Sequence, residues 1–306
     1  MAEHGRRGSR RRPWDRQVSR GVALGLLIAA FGVPALLGLL IERTDEEPLG
    51  AHFRSKLGAR VGRFELRSEA TGRTLLPVVV RPAGASASER RPLLVLLHGR
   101  GMPPEFFLAD GLFQGLRDAG PRAPVVVLVD GTLEAPWHDR MDGAWGRMVA
   151  DEAIPAAVKN LNADPRRVAI GGISLGGFGA LDLAGREPGR YCAVGAHSPA
   201  LWATAREAPR PVFDDTRDFA KHDVLARART APDPFGALPV WIDRGDGDRF
   251  RTVTDRLVRT LRARDDRGEG NLRFRPAPGG HDRAYWDAHM AEWVAFYAAQ
   301  LARCRR

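Results

Sequence analysis

One serine in the chain has a setting that could make it a nucleophile. Gly172-Ile173-Ser174-Leu175-Gly176 has the G-x-S-x-G pattern, with an apolar run, Arg167–Gly171, leading in and a helical pattern, Leu175–Gly185, leading out. A serine on such a strand-to-helix elbow sits at a strained turn with its hydroxyl exposed, and the small flanking residues let neighbouring backbone approach. The chemistry this permits is attack on an acyl carbon. A neutral hydroxyl is a weak nucleophile, so a base must take its proton and an acid must orient the base.

Of the eight histidines, His281 fits the base best. It lies in Ala277-Pro278-Gly279-Gly280-His281-Asp282, between the last apolar run and a terminal helical pattern carrying Trp286, Met290, Trp293 and Tyr297. His4 precedes a charge-free stretch, and His289 lies inside the helical pattern. His138, His197 and His222 fall on loops, but none completes the chain order Ser…Asp…His. The orienting acid should follow the penultimate strand, where Val240–Asp248 offers Asp243, Asp246 and Asp248. Asp243 ends the strand and is expected to be a structural acceptor. Asp248, beyond a Gly-rich turn, can reach over the sheet edge and is preferred, with Asp246 as the alternative. The oxyanion needs two fixed N–H donors. They are expected from the backbone of Leu175 and of Arg100, the latter in Leu97-His98-Gly99-Arg100-Gly101. Trp137, Trp145, Trp202 and Phe213 could line an acyl pocket or could equally be packing residues. With no H-E-x-x-H, no C-x-x-C and no P-loop, neither a metal nor a cofactor is expected.

The elements that must hold these residues are legible as alternating apolar runs and helical patterns. The runs are Arg63–Arg67, Leu75–Arg81, Leu93–Leu97, Pro124–Val129, Arg167–Gly171, Tyr191–Ala196, Leu238–Ile242 and Leu272–Arg275. The first two read as a hairpin about Thr71-Gly72. The later ones are rich in Val, Ile and Leu without alternation, as in parallel strands buried on both faces. This predicts one α/β domain, with an eight-stranded, mostly parallel sheet and helices on both faces. Ser198–Ala237 holds five prolines and no clear period, and should run over the carboxyl ends of the strands, where ligands bind in such sheets.

With these residues in place, the chain from about 60 to 302 resembles the esterase D / antigen 85-like branch of the α/β-hydrolases. The matching segments are His98-Gly99, Asp151-Glu152-Ala153-Ile154-Pro155, Gly172-Ile173-Ser174-Leu175-Gly176-Gly177, Gly245-x-x-Asp248 and Gly279-Gly280-His281-Asp282, with Tyr285-Trp286 beyond. The resemblance implies the α/β-hydrolase fold and a Ser174–His281–Asp248 triad, with Arg100 and Leu175 as oxyanion donors. The branch contains S-formylglutathione hydrolases, feruloyl and acetylxylan esterases and mycolyltransferases, so the motifs do not fix the substrate. The first reading is a serine esterase. Transfer of an acyl group to a sugar or lipid alcohol uses the same triad, and a catalytically silent binding module is the reading from another class.

The 306 residues carry a net charge of +10, with 44% hydrophobic and 27% charged residues, a composition that supports a sizeable core. The charge is terminal. Residues 1–20 hold seven Arg against Glu3 and Asp15, and Arg303, Arg305 and Arg306 close the chain, which leaves +2 for residues 21–302. A nucleic-acid partner therefore has little support. Residues 21–41 contain no charge, enough for a helix to span a bilayer, and they exceed the apolar run of about 7–15 residues of a cleaved signal. The basic flank before them and Glu42-Arg43-Thr44-Asp45-Glu46-Glu47 after them place the N-terminus in the cytoplasm and the rest outside. The expected organisation is a basic tail at 1–20, one transmembrane anchor at 21–41, a linker at 42–60 and the catalytic domain at 61–303, acting on a small-molecule or envelope ester. Cys192 and Cys304 are expected as unpaired thiols, one bridge in an oxidising compartment being the alternative.

Overall fold

The structure, a computed structural model, describes residues 53–54, 57–264 and 271–304. The anchor expected at 21–41 lies outside the described residues; among the described ones, no helix is long and apolar enough to cross a membrane.

Nine strands make the main sheet: β1 Phe53–Arg54, β2 Arg60–Arg63, β3 Val78–Arg81, β4 Arg91–Leu97, β5 Val125–Val129, β6 Ala163–Ile173, β7 Ala193–His197, β8 Val240–Gly245 and β9 Leu272–Ala277. Their spatial order is β1-β2-β3-β5-β4-β6-β7-β8-β9. The first three are antiparallel, and the six from β5 to β9 run parallel. The mostly parallel sheet is as expected, but its start differs in two ways. The expected first strand, Arg63–Arg67, is divided. Arg60–Arg63 joins the main sheet, whereas Leu66–Ser68 pairs with Arg73–Leu75 in a separate small hairpin about Thr71-Gly72. The ladder stops at Arg63 opposite Val78 because the next partner, Pro77, has no N–H to give. The expected linker at 42–60 also reaches too far, since Phe53–Arg54 and Arg60 already pair in the sheet.

Each central strand is buried on both faces, and its alternate residues serve two cores. Leu93, Val95 and Leu97 join one core, while Leu94 and Leu96 join the other. The first core is closed by helices α2 Ile154–Leu161, α3 Leu175–Arg186 and α6 Arg251–Ala263. The second is closed by α1 Asp110–Ala119 and the 21-residue α7 Arg283–Arg303. The segment after β7 carries two short helices, α4 Thr216–His222 and α5 Val224–Thr230, each capped by an Asp side chain, Asp215 and Asp223.

The α1–α7 crossing depends on glycine. A Cβ at Gly115 would stand 2.7 Å from Val294 Cβ and 3.0 Å from the Ala291 carbonyl oxygen. Gly115→Ala should therefore force the helices apart and lower stability by about 1–3 kcal/mol in urea unfolding; an unchanged midpoint would show that the crossing has slack.

Cys192 and Cys304 form a disulfide, with Cα atoms 5.7 Å apart, which overturns the expected pair of free thiols. The bridge fastens the end of α7 to the foot of β7. A separation of 112 residues hides such pairing from sequence, because only the completed sheet and helix bring the two together. The double substitution Cys192→Ser/Cys304→Ser should cost about 2–5 kcal/mol of stability. Ester hydrolysis at room temperature should persist, since the bridge lies at the opposite end of the strands from Ser174.

Candidate active site

Every predicted site residue follows the carboxyl end of a parallel strand: Arg100 after β4, Ser174 after β6, Asp248 after β8 and His281 after β9. Ser174 has φ 54° and ψ −115°, the strained conformation of an elbow. Both motif glycines are obligatory there. A Cβ on Gly176 would stand 1.9 Å from the Leu97 carbonyl oxygen, and one on Gly172 would stand 2.3 Å from the Gly176 carbonyl carbon. The turn is fixed by Ser174 N–H donating to His197 O at 2.9 Å and by Ser174 O accepting from Ala200 N–H at 2.9 Å.

The structure brings Ser174, His281 and Asp248 into one hydrogen-bonded line. Ser174 Oγ lies 2.9 Å from His281 Nε2, and His281 Nδ1 lies 3.0 Å from Asp248 Oδ2. The loops carrying His281 and Asp248 are stitched together by Asp246 N–H to Ala277 O at 2.9 Å and Gly247 N–H to Gly279 O at 2.8 Å. Asp248 Oδ1 accepts from Phe250 N–H at 2.7 Å. Burial works against the Asp248 charge, but the His281 hydrogen bond and charge and the Phe250 N–H hold its carboxyl below the ordinary carboxylate range. Asp246 is exposed and pairs with Arg244 Nη1 at 2.9 Å, away from His281.

Asp243 is a structural acceptor at the end of β8. Its Oδ2 accepts from Trp241 Nε1–H at 2.7 Å and His197 Nδ1–H at 2.6 Å, and its Oδ1 accepts from Tyr285 O–H at 3.1 Å. His197 Nε2 in turn accepts from Tyr297 O–H at 2.9 Å. Burial, followed by the Asp243 charge, raises both tyrosines and keeps them neutral donors. This buried web ties the start of α7, and so the His281 loop, to the sheet.

Leu175 follows Ser174 as the first residue of α3, and in the loop that carries Arg100 the neighbouring Gly101 and Met102 N–H groups are spent on Leu133 O and Gly99 O. Gly99 lets this loop close on the nucleophile, for a Cβ there would be 3.2 Å from Ser174 Cβ. The Arg100 guanidinium turns outward to Glu134 at 2.8 Å. Beneath the loop, His98 Nδ1 faces Gly99 O at 2.9 Å and its Nε2 accepts from Gly131 N–H at 3.3 Å. Burial is the main cause lowering the His98 pKa, which suits this neutral tautomer.

The four expected pocket aromatics separate into two kinds. Trp137 is fully buried, its indole N–H held by His98 O at 3.0 Å, and Trp145 is buried in the core, so both are packing residues. Trp202 and Phe213 belong to an aromatic wall with Phe178 and Phe250, at centroid separations of 5.6–6.0 Å. Phe250 and Trp286 each present an edge-to-face contact to His281, at 5.1 and 5.2 Å. Sequence reasoning missed Phe250, although its position two residues after Asp248 was a signal. It also missed the meeting of His138, Asp218 and His222, the group of metal-ligating types among the described residues.

Comparison with known proteins agrees with this geometry. A model of the Esterase family matches residues 68–297. The S-formylglutathione hydrolase of Paracoccus denitrificans (strain Pd 1222) is 30% identical over 184 residues, which cover 56% of this chain and 61% of that protein. Among solved structures, an S-formylglutathione hydrolase from Agrobacterium tumefaciens aligns with TM-score 0.68 at 18% identity, covering 83% of this chain and 99% of its own. A ferulic acid esterase aligns with TM-score 0.69 at 21% identity (79% and 98% covered), and MPT51 of Mycobacterium tuberculosis with TM-score 0.62 at 16% (78% and 97%). These last similarities establish the fold. The chain belongs to the Esterase family and has the α/β-hydrolase fold.

Proposed function

We propose that the protein is a membrane-anchored, extracytoplasmic serine esterase that hydrolyses carboxylic esters through an acyl-enzyme on Ser174. The observation that carries this reading is the Ser174–His281–Asp248 line, with Oγ–Nε2 at 2.9 Å and Nδ1–Oδ2 at 3.0 Å. His281 Nε2 takes the Ser174 proton as Oγ attacks the carbonyl carbon, and the developing oxyanion is met by the Arg100 and Leu175 N–H groups. Collapse expels the alcohol, which receives the proton from His281. Water then attacks the acyl carbon as His281 takes its proton, and His281 returns that proton to Ser174 Oγ as the acyl–oxygen bond breaks and the acid leaves. Asp248 keeps the proton-accepting nitrogen of His281 turned to Ser174. The aromatic wall of Trp202, Phe213 and Phe250 flanks the space in which an apolar acyl group would lie.

The location rests on the charge-free stretch at 21–41 and its basic flank. The Cys192–Cys304 disulfide supports it, since such bridges persist in oxidising compartments. The test is a panel of activated esters of increasing acyl length, with S-formylglutathione included, offered to the full chain in detergent micelles. Turnover that vanishes in Ser174→Ala supports the reading. Failure to turn over any of them would favour a silent binding module, and acyl products on added sugar alcohols would favour transfer. Protease accessibility of the catalytic domain from the outer side of intact cells tests its location.

A further inference from the structure

We infer that His138, Asp218 and His222 form a zinc site, separate from the catalytic serine, that clamps the segment after β7 onto the loop before α2. The inference follows from which nitrogens carry protons. His138 Nδ1 faces the Pro136 carbonyl oxygen at 3.0 Å and must donate to it. Its Nε2 then bears a lone pair, 3.2 Å from Asp218 Oδ2. His222 Nδ1 lies 2.7 Å from Asp182 Oδ2. It also lies 2.9 Å from an Arg186 nitrogen, but the shorter contact is to a carboxylate that can only accept, so Nδ1 carries the proton. His222 Nε2, again a lone pair, faces Asp218 Oδ1 at 3.6 Å.

With both imidazoles neutral, two lone pairs and a carboxylate converge on one point. Asp218 Oδ2 accepts Asp214 N–H at 2.9 Å. A positive charge at the centre, a metal ion or a proton, would satisfy all three groups. The nitrogen and oxygen atoms lie within 4.8 Å of one another. Ligands about 2.0–2.2 Å from a tetrahedral zinc stand roughly 3.4 Å apart, a value between the 3.2 Å from His138 Nε2 to Asp218 Oδ2 and the 3.6 Å from His222 Nε2 to Asp218 Oδ1. The supporting shell is also that of a metal site, with a backbone carbonyl holding one imidazole and a carboxylate holding the other. Arg227 at 2.7 Å and Arg186 at 3.1 Å compensate Asp182, so Asp218 is the uncompensated anion. A pocket of about 350 Å³ is lined by His138, Asp182 and His222.

The ligands come from two segments 80 residues apart, and Phe213 lies against the His138 ring at 4.9 Å. Zinc would therefore fix the aromatic wall that leads through Trp202 and Phe250 to His281. The test uses the full chain, stripped by chelation and titrated with zinc chloride. One zinc per chain by elemental analysis is expected, with Tm raised by roughly 5–10 °C at a hundredfold excess over Kd. Binding should be lost in His138→Gln and in His222→Gln and retained in His281→Ala and His289→Ala. Cobalt substitution of the wild-type chain should give the absorption of a tetrahedral site, a readout independent of whether a variant folds. Substoichiometric zinc with no Tm shift would overturn the inference and leave a proton between the three groups. Unchanged binding in both histidine variants would overturn it equally. Neither result would touch the proposed esterase, which is judged on Ser174.

Discussion

Ser174→Ala is expected to lower kcat for ester hydrolysis by about five to six orders of magnitude, with no loss of folded protein. The size follows from what is removed. The substitution deletes Oγ, the atom 2.9 Å from His281 Nε2, and leaves Cβ, the backbone of the elbow and every main-chain hydrogen bond of residue 174 in place. No covalent intermediate can then form. The remaining rate would come from the Arg100 and Leu175 N–H groups acting on a water attack, worth about 10³–10⁴ over the uncatalysed reaction. Substrate affinity should change little, because the aromatic wall is not altered. The measurement is a pair of Michaelis curves, wild type and variant, with fluorophosphonate labelling beside them. A label that remains on the Ser174→Ala protein would assign the nucleophile elsewhere.

Much of the sheet and the catalytic line was legible because both depend on local patterns. Arg167–Gly171 is an apolar run, the glycines around Ser174 are demanded by backbone only 1.9–2.3 Å from where their Cβ atoms would be, and Gly-rich turns precede both Asp248 and His281. Features made by long-range meetings were not legible. The disulfide joins positions 112 apart, and the His138–Asp218 contact joins positions 80 apart. Asp218 and His222 are one helical turn apart on α4, but the stretch from Ser198 to Ala237 shows too little periodicity to announce that helix. The role of Trp137 was ambiguous for another reason: only the structure shows that Gly131 and Gly179 lie against its ring, which a Cβ on Gly179 would approach within 2.3 Å of Trp137 Cβ. Burial of that kind cannot be read from an aromatic on a loop.

Asp248→Asn is the sharper test of how the base is held, and kcat should fall by about 10⁴. The carboxylate can only accept, so it fixes the proton of neutral His281 on Nδ1 and leaves Nε2 free to take the Ser174 proton. An asparagine amide in the same place can donate instead. The imidazole would then hold its proton on Nε2, where it cannot act as a base toward Ser174. Asp246→Asn should have little effect, because that side chain is exposed and its partner is Arg244. The shape of Asp248 is kept by the substitution, since the amide oxygen can still accept from Phe250 N–H. Stability should report the lost charge through its pH dependence. The folded-state pKa of Asp248 is depressed, so its ionisation favours the folded state above the unfolded carboxylate value of about 3.9, and that contribution disappears as pH falls through the lowered folded value. Wild type should accordingly lose more stability than Asp248→Asn on moving from neutral pH to below this range. Denaturant midpoints across that range, set beside kcat at neutral pH, separate orientation of His281 from simple loss of fold. Equal activity losses in the Asp246 and Asp248 variants would remove Asp248 from the relay.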